Sequence, residues 1–294
     1  MSDIDLEGLN RFAKAGDRDA PPYFAGRQEV LEDIEHAAGE CWRAWQDSRR
    51  TTPGATRVIQ GAPDAGKSSL LMHLERSWSG PGGGAPAMLL LRDPTDFMNG
   101  KAFAERLVNM LRPGRGKEIR TEISKSWQLQ GRVPGVGGQL GEESRTGIPD
   151  DPINAVLAHV PGETWTSPVV IAIDEFQAAV GDETSPHAMV LRKLHTQDYA
   201  APVVTVLAGL SDTRSTVDRL GISRASIDAV SALGCMSEAE TENLIEGWSA
   251  HFGLPDGHWQ VTMLELARAG DFWPAHVRNA LASFAEEVVR LEGD

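Results

Sequence analysis

Cysteine is nearly absent: Cys41 and Cys235 are the only two in 294 residues, and they lie far apart in the chain. That scarcity argues against a disulfide framework and against a cysteine-ligated zinc site, and makes a reducing cytoplasm the expected setting. The eight histidines fall at no ligand-like spacing. Long apolar runs are missing as well. Nothing approaches the stretch of about 18 apolar residues that a membrane-spanning helix needs, so no membrane association is expected. The opening MSDIDLEGLNRFAKAGD has neither the basic start nor the apolar core of a secretory signal.

Positive charge is also in short supply. Lysine and arginine number 28 against 42 acidic residues, a formal net charge of −14. A protein whose whole surface grips nucleic acid would not carry that balance. One local exception exists: Arg112, Arg115, Lys117, Arg120, Lys125 and Arg132 share their stretch with only Glu118 and Glu122. The stretch 112–132 reads either as a solvated insertion or as a patch for DNA phosphates.

What is present is the composition of a soluble globular protein, 41 % hydrophobic and 24 % charged. The length suits one large domain with a smaller one, or two ordinary domains. No internal repeat is visible. Residues 1–20 read as a loose N-terminal arm. Arg27 to Arg49 carries Val30, Leu31, Ile34, Ala38, Cys41, Trp42 and Trp45 at helical spacing. Arg57–Gln60 reads as a buried strand, Lys67–Trp78 as a helix, Ala87–Leu91 as a second strand and Ala102–Leu111 as a helix. Between Pro113 and Pro149 the chain is polar and glycine-rich with no sustained period, as expected of an insertion, with Thr121–Gln130 as a candidate hairpin strand.

Regular patterning resumes with a helix near Pro152–Val160, a third apolar strand at Val169–Ile173, a helix at Ala188–His195 and a fourth strand at Pro202–Ala208. Strands alternating with helices predict an α/β fold, a parallel sheet flanked by helices. After Gly234 the pattern is helical only, over Ser237–His251, Trp259–Ala269 and Pro274–Leu291. The expected organisation is therefore a nucleotide-binding domain over 21–233, carrying the 113–149 insertion, and a small helical lid over 234–294.

The chemistry concentrates in Gly61-Ala62-Pro63-Asp64-Ala65-Gly66-Lys67-Ser68, which fits G-x-x-x-x-G-K-[ST] between an apolar strand and an amphipathic helix. The glycines allow backbone amides to turn inward around phosphate oxygens, and the helix start adds its positive dipole end. Lys67 is expected to reach the β- and γ-phosphates, and the hydroxyl of Ser68 to bind Mg²⁺, with Ser69 following in the first helical turn. Asp64 stands where many such loops have glycine. It tolerates unusual backbone angles but brings a carboxylate toward the phosphates, so it is expected to point to solvent and weaken affinity modestly.

Val169–Ile173 runs into Asp174 and Glu175. Strand C-termini of a parallel sheet line the ligand crevice. Asp174 would approach the Mg²⁺, and Glu175 would sit where a carboxylate can polarise the water that attacks the γ-phosphorus. After the fourth strand, Ser211 or Asp212 is positioned to touch the γ-phosphate, a plain turn being the alternative. Beyond Gly221, Arg224 is a candidate to neutralise transition-state charge, within its own chain or across a subunit boundary, against the alternative of a surface arginine.

With these pieces in place, residues 22 to 290 resemble the AAA+ and STAND group of P-loop ATPases, near its origin-recognition-like and archaeal-ATPase branch. Tyr23-Phe24-Ala25-Gly26-Arg27-Gln28-Glu29 is similar to the aromatic-x-Gly-Arg-x-Glu opening, which lies beside adenine and ribose. Gly61–Ser68 matches Walker A, and Asp174 with Glu175 matches Walker B. Ser211 falls at the sensor 1 position, without the Asn or Thr often found there. Leu233 to Glu240 resembles the start of the lid, and Gly270 to Arg278 the segment that carries sensor 2. There Pro274 opens a helix, His276 or Arg278 would face the nucleotide, and Phe272 and Trp273 read as lid core. The resemblance implies ATP rather than GTP, a lid that moves with nucleotide state, and assembly as a homo-oligomer or hetero-complex. An N-K-x-D guanine motif is absent after the fourth strand, in agreement. The leading expectation is an Mg²⁺-dependent ATP-hydrolysing switch acting on a partner protein, DNA or both. The alternatives are an ATP-dependent DNA-binding scaffold and a nucleotide sensor with little turnover.

Overall fold

A computed structural model of the protein describes residues 4–15, 23–48, 54–78, 86–99, 102–103, 106–107, 167–194, 202–222 and 227–292. The basic stretch 112–132, the 113–149 insertion, the helix expected at Pro152–Val160 and Arg224 lie outside the described residues, as does most of Ala102–Leu111.

The sheet is built from β1 (Ala55–Gly61), β2 (Ala87–Leu91), β3 (Val169–Ile173), β4 (Val203–Gly209) and β5 (Ile227–Leu233). Their order is β2-β3-β4-β1-β5, and every pairing is parallel. Four of these strands follow the expected positions. The fifth was not anticipated. Its sequence, IDAVSAL, is rich in small residues, and it lies at the sheet edge with Val230 exposed, so it lacks the apolar run that marks β3 and β4. Those two central strands are buried at every residue, as strands covered on both faces must be.

Two apolar clusters fill the two faces. One joins Val58, Ile171, Ile173 and Leu207 to Phe97, Phe176 and Leu191. These come from α4 (Pro94–Met98), the turn after β3 and α5 (Pro186–Leu194). The other joins Ile59, Val170, Val204 and Val206 to α2 (Gln28–Ser48) and α3 (Lys67–Trp78) through Ile34, Ala38, Leu70, Leu71 and Leu74. Each fully buried Leu, Ile or Val stabilises the fold by about 1.5–3 kcal/mol. A short helix, α6 (Thr213–Arg219), follows β4.

The C-terminal helices are α7 (Glu238–Phe252), α8 (His258–Ala269) and α9 (Pro274–Glu292). Ser237 and Glu240 form a capping box at the start of α7, and Gly253 ends it in the left-handed conformation at φ 69°. The N-terminal stretch corrects the expectation of a loose arm: Leu6–Lys14 is a helix, α1, capped by the Asp5 carboxylate accepting from the Gly8 amide at 2.8 Å. Its Leu9 and Phe12 are buried in the lid among Ile245, Trp248, Phe252 and Leu281. The lid core is thus made by both ends of the chain. Phe272 belongs to that core, as expected, but Trp273 packs on the sheet-domain cluster instead and bridges the two layers.

Candidate functional site

The sheet order places the ends of β1, β4 and β3 side by side. The glycine-rich loop leaves β1, Leu210 follows β4, and Asp174 and Glu175 follow β3. Above them a cavity of about 410 Å³ opens between sheet domain and lid. Its polar floor comprises Pro63, Asp64, Ala65, Gly66, Lys67, Ser68 and Ser69, with Glu175 and Leu210. Phe24, Ala25 and Arg27 form one wall, and Pro274, Ala275 and Arg278 come from the lid.

The loop has the backbone such a site requires. Gly66 has φ +86° and Asp64 φ +64°, both in the left-handed region. Asp64 is exposed but lines the cavity, and it carries the backbone strain that a glycine would avoid. Lys67 is 5 % exposed, and its ammonium donates to the carbonyls of Gly61 at 3.0 Å and Ala62 at 2.8 Å. Burial lowers its pKa, while Glu175, Asp174 and Asp64 pull the other way. Three carboxylates therefore act on the charge of one lysine.

Asp174 is 5 % exposed. Burial raises its pKa, opposed by hydrogen bonds from the Ser68 hydroxyl and the Glu175 amide and by the charge of Lys67. The Ser68–Asp174 contact places two hard oxygen donors together beside the glycine-rich loop. Among the described residues no group of three or more His, Cys, Asp or Glu gathers as a self-sufficient metal site. That donor set fits Mg²⁺, which takes few protein oxygens and fills its shell from phosphates and water.

Glu175 has φ 50° and ψ 34° and opens a 3₁₀ turn, Phe176–Ala178, whose Phe176 is wholly buried. The buried ring fixes the turn, so the Glu175 side chain emerges at the cavity. Arg27, at φ 60°, sends its guanidinium to the carbonyls of Gly234 and Cys235 and toward Ala65 of the loop. Gly26 has φ +80°, and a Cβ there would meet the Glu240 carboxylate at 2.7 Å. Phe24 stacks on His73, with ring centroids 4.5 Å apart.

The cavity separates the two sensor 2 candidates. Arg278 lines it and donates to the carbonyl of Ala15, just past α1, at 2.5 Å. His276 turns back to the Gly270 carbonyl at 3.2 Å and does not line it. Ser211 lies in the exposed turn after β4, where its carbonyl accepts from Gln60 at 3.0 Å, and Leu210 is the residue of that turn that reaches the cavity. Tyr23, in the opening segment read from the sequence, lines the apolar half of the cavity, but sequence reading missed its other members, Phe12, Met236, Leu244, Trp248 and Leu281. Phe12 was legible: Asp5 before Leu6, Leu9, Phe12 and Ala13 is a cap followed by an apolar face. The lid contributions were not, because residues from α1, α7 and α9 meet only once the lid is packed.

No protein-family profile matches the chain, and no curated protein matches it. Solved structures do. The ORC2 protein of Aeropyrum pernix, in its ADPNP–ADP complexes, superposes with a TM-score of 0.57 at 15 % identity, covering 96 % of this chain and 67 % of that one. Its ADP form gives 0.57 at 14 %, covering 97 % and 68 %. Cdc6p from Pyrobaculum aerophilum gives 0.52 at 13 %, covering 92 % and 65 %.

The chain has the α/β fold of these archaeal origin-recognition proteins.

It spans about two thirds of their length. The parallel sheet with its C-terminal helical domain is common to them. Among the described residues, no helix is long and apolar enough to cross a membrane.

Proposed function

We propose that this protein is an Mg²⁺-dependent switch that binds and hydrolyses ATP and regulates or assembles a complex containing a partner protein, DNA or both. The observation that carries this reading is the juxtaposition of Lys67, the Ser68–Asp174 pair and Glu175 on the floor of a cavity roofed by the lid. The archaeal ORC2 neighbour, solved with ADPNP and ADP, supports a nucleotide as the occupant.

In this reading, Lys67 exchanges its two loop carbonyls for phosphate oxygens. Amides of the loop, opened by Gly66, take the remaining oxygens. The site already holds more carboxylate than ammonium, Asp64, Asp174 and Glu175 against Lys67, so a polyanionic nucleotide needs a divalent cation there, held by Ser68 and, through water, Asp174. That ion would neutralise charge on the phosphates. Glu175 accepts a hydrogen bond from the attacking water and takes up its proton. Phe24, Tyr23 and the apolar lid residues enclose the base, and Arg278 reaches the phosphates from the lid. Arg224 is the candidate for a further cation, from its own chain or a neighbouring copy.

The test is phosphate release by the wild type and Glu175→Gln, together with mass measurement in solution with ATP and Mg²⁺. Glu175→Gln should bind ATP and release phosphate at least about a hundredfold more slowly. Equal rates in the two proteins would remove Glu175 from this role. A dimer or ring trapped by Glu175→Gln supports assembly on ATP, and a persistent monomer would make the protein an isolated switch.

A further inference from the structure

Two residues beyond Glu175, the side chain of Gln177 spans from one strand end to the next. Its amide nitrogen donates to the Glu175 carboxylate at 2.5 Å, and its amide oxygen accepts from the backbone amide of Leu210 at 3.0 Å. Both partners line the nucleotide cavity; Gln177 does not. The approach is close enough that Gly209 can carry no side chain. A Cβ at that position would overlap the Gln177 amide oxygen and the Thr213 hydroxyl, and would lie 3.2 Å from the Gln177 backbone nitrogen. On its far side the same turn is held by Gln60, whose amide donates to the Ser211 carbonyl at 3.0 Å. The turn after β4 is therefore gripped from both sides, and one grip ends on Glu175.

We propose that Gln177 is a positioning residue for ATP hydrolysis: it fixes the Glu175 carboxylate and couples it to the turn at Leu210. This rests on the hydrolytic role of Glu175 given above. The chemistry suits the task. Glu175 is an exposed side chain on a backbone held at φ 50°, with free rotation beyond its Cβ. One donor on one carboxylate oxygen removes most of that freedom and leaves the other oxygen for water. An amide can do this because its two ends differ, one donating to a carboxylate and the other accepting from a backbone N–H. A carboxylate at 177 could serve Leu210 but would repel Glu175. Movement of the Leu210 turn, which borders the cavity, would pull the amide and re-aim the carboxylate without any contact to the nucleotide by Gln177 itself.

The experiment compares wild type, Gln177→Ala, Gln177→Glu, Glu175→Gln and the double variant Glu175→Gln/Gln177→Ala. ATP affinity is measured by calorimetry and single-turnover hydrolysis by phosphate release. Gln177→Ala should slow hydrolysis about tenfold or more with ATP affinity within about twofold of wild type, as for a misaimed catalytic group. Gln177→Glu, of nearly unchanged volume, should be at least as slow, which separates loss of the donor from loss of packing. The double variant should match Glu175→Gln, since the two residues act as one unit. Wild-type rates in Gln177→Ala beside an inactive Glu175→Gln would overturn the coupling alone. An additional slowing in the double variant by the same factor as in the single would also overturn it. Wild-type turnover by Glu175→Gln would instead remove the hydrolytic reading, and this coupling with it.

Discussion

The backbone amide of Arg27 donates to the Glu240 carboxylate at 2.7 Å, across 213 residues of sequence. Glu240 also accepts from the amide and hydroxyl of Ser237, at 2.7 and 2.9 Å. One carboxylate therefore caps a lid helix and holds the segment that forms a wall of the cavity. Burial works against its charge, but hydrogen bonds from Ser237 and Arg27 outweigh it and hold its pKa low. A depressed folded pKa means stability that is present above the ordinary carboxylate range and lost as pH falls through the folded value. Glu240→Ala should cost about 1–3 kcal/mol in urea unfolding at neutral pH, because it strands the part-buried Arg27 amide and removes half of the capping box. It should also speed amide exchange at Arg27 and Ser237. Unchanged exchange at Arg27 would disprove the link.

Asp174 is shifted the opposite way. Burial raises its pKa despite the bond from Ser68 and the charge of Lys67. The folded carboxyl holds its proton more tightly than the unfolded one, so its charge opposes folding at neutral pH and that penalty fades as pH falls. Asp174→Asn should raise the Tm of the nucleotide-free protein and abolish the further rise produced by Mg²⁺ and ATP. A lower Tm without nucleotide would contradict this balance.

His187 is 4 % exposed and packs edge-to-face with Phe97 at a centroid distance of 4.7 Å. Burial is the leading cause of its lowered pKa, and His73 is lowered for the same leading reason. The unfolded chain therefore binds protons that the folded chain refuses. Stability from these groups is level above about pH 6.5, the ordinary histidine value, and falls as pH drops below it. His187→Phe should shrink the difference in urea midpoint between neutral and mildly acidic buffer, His73 accounting for part of what remains. An unchanged difference would show that His187 does not titrate in this range.

Phe12 serves both the lid core and the cavity, whereas Leu9 serves the core alone. Phe12→Ala should cost about 3–5 kcal/mol and Leu9→Ala about 2–5 kcal/mol. Measured by calorimetry well below the melting temperature, only Phe12→Ala should weaken ATP binding. Equal weakening by both would mean that α1 acts through stability only.

Asp64→Gly should tighten ATP binding, because it removes a carboxylate from the cavity floor and gives the loop a residue at ease at φ +64°. Affinity unchanged at low and high salt would show that the carboxylate is fully screened.

Residues whose neighbours in sequence decide their conformation were legible. Gly61–Ser68, β3 with Asp174 and Glu175, and the three lid helices follow from local apolar period, caps and glycine placement. Glu175 could be placed at a strand end facing the crevice from its strand alone, yet the bridge from it through Gln177 to Leu210 could not, since that bridge exists only where β3 lies beside β4. The same holds for Arg278, whose choice over His276 depends on which face of α9 meets the cavity. Asp64 lies between: its type hinted at an unusual backbone angle, and the positive φ shows it.

The helical layer contains α1 as well as the three C-terminal helices, and this bears on how it is tied to the sheet. The chain belongs to this layer at α1, forms the sheet with β1 to β5, and returns to the layer at α7, so two connections join the layers. A body held by a single strand can swivel in any direction. One held by two connections has fewer directions open to it. Any movement of this layer would then carry Phe12, Arg278 and Pro274 relative to the glycine-rich loop as one set, since α1 and α9 share a core.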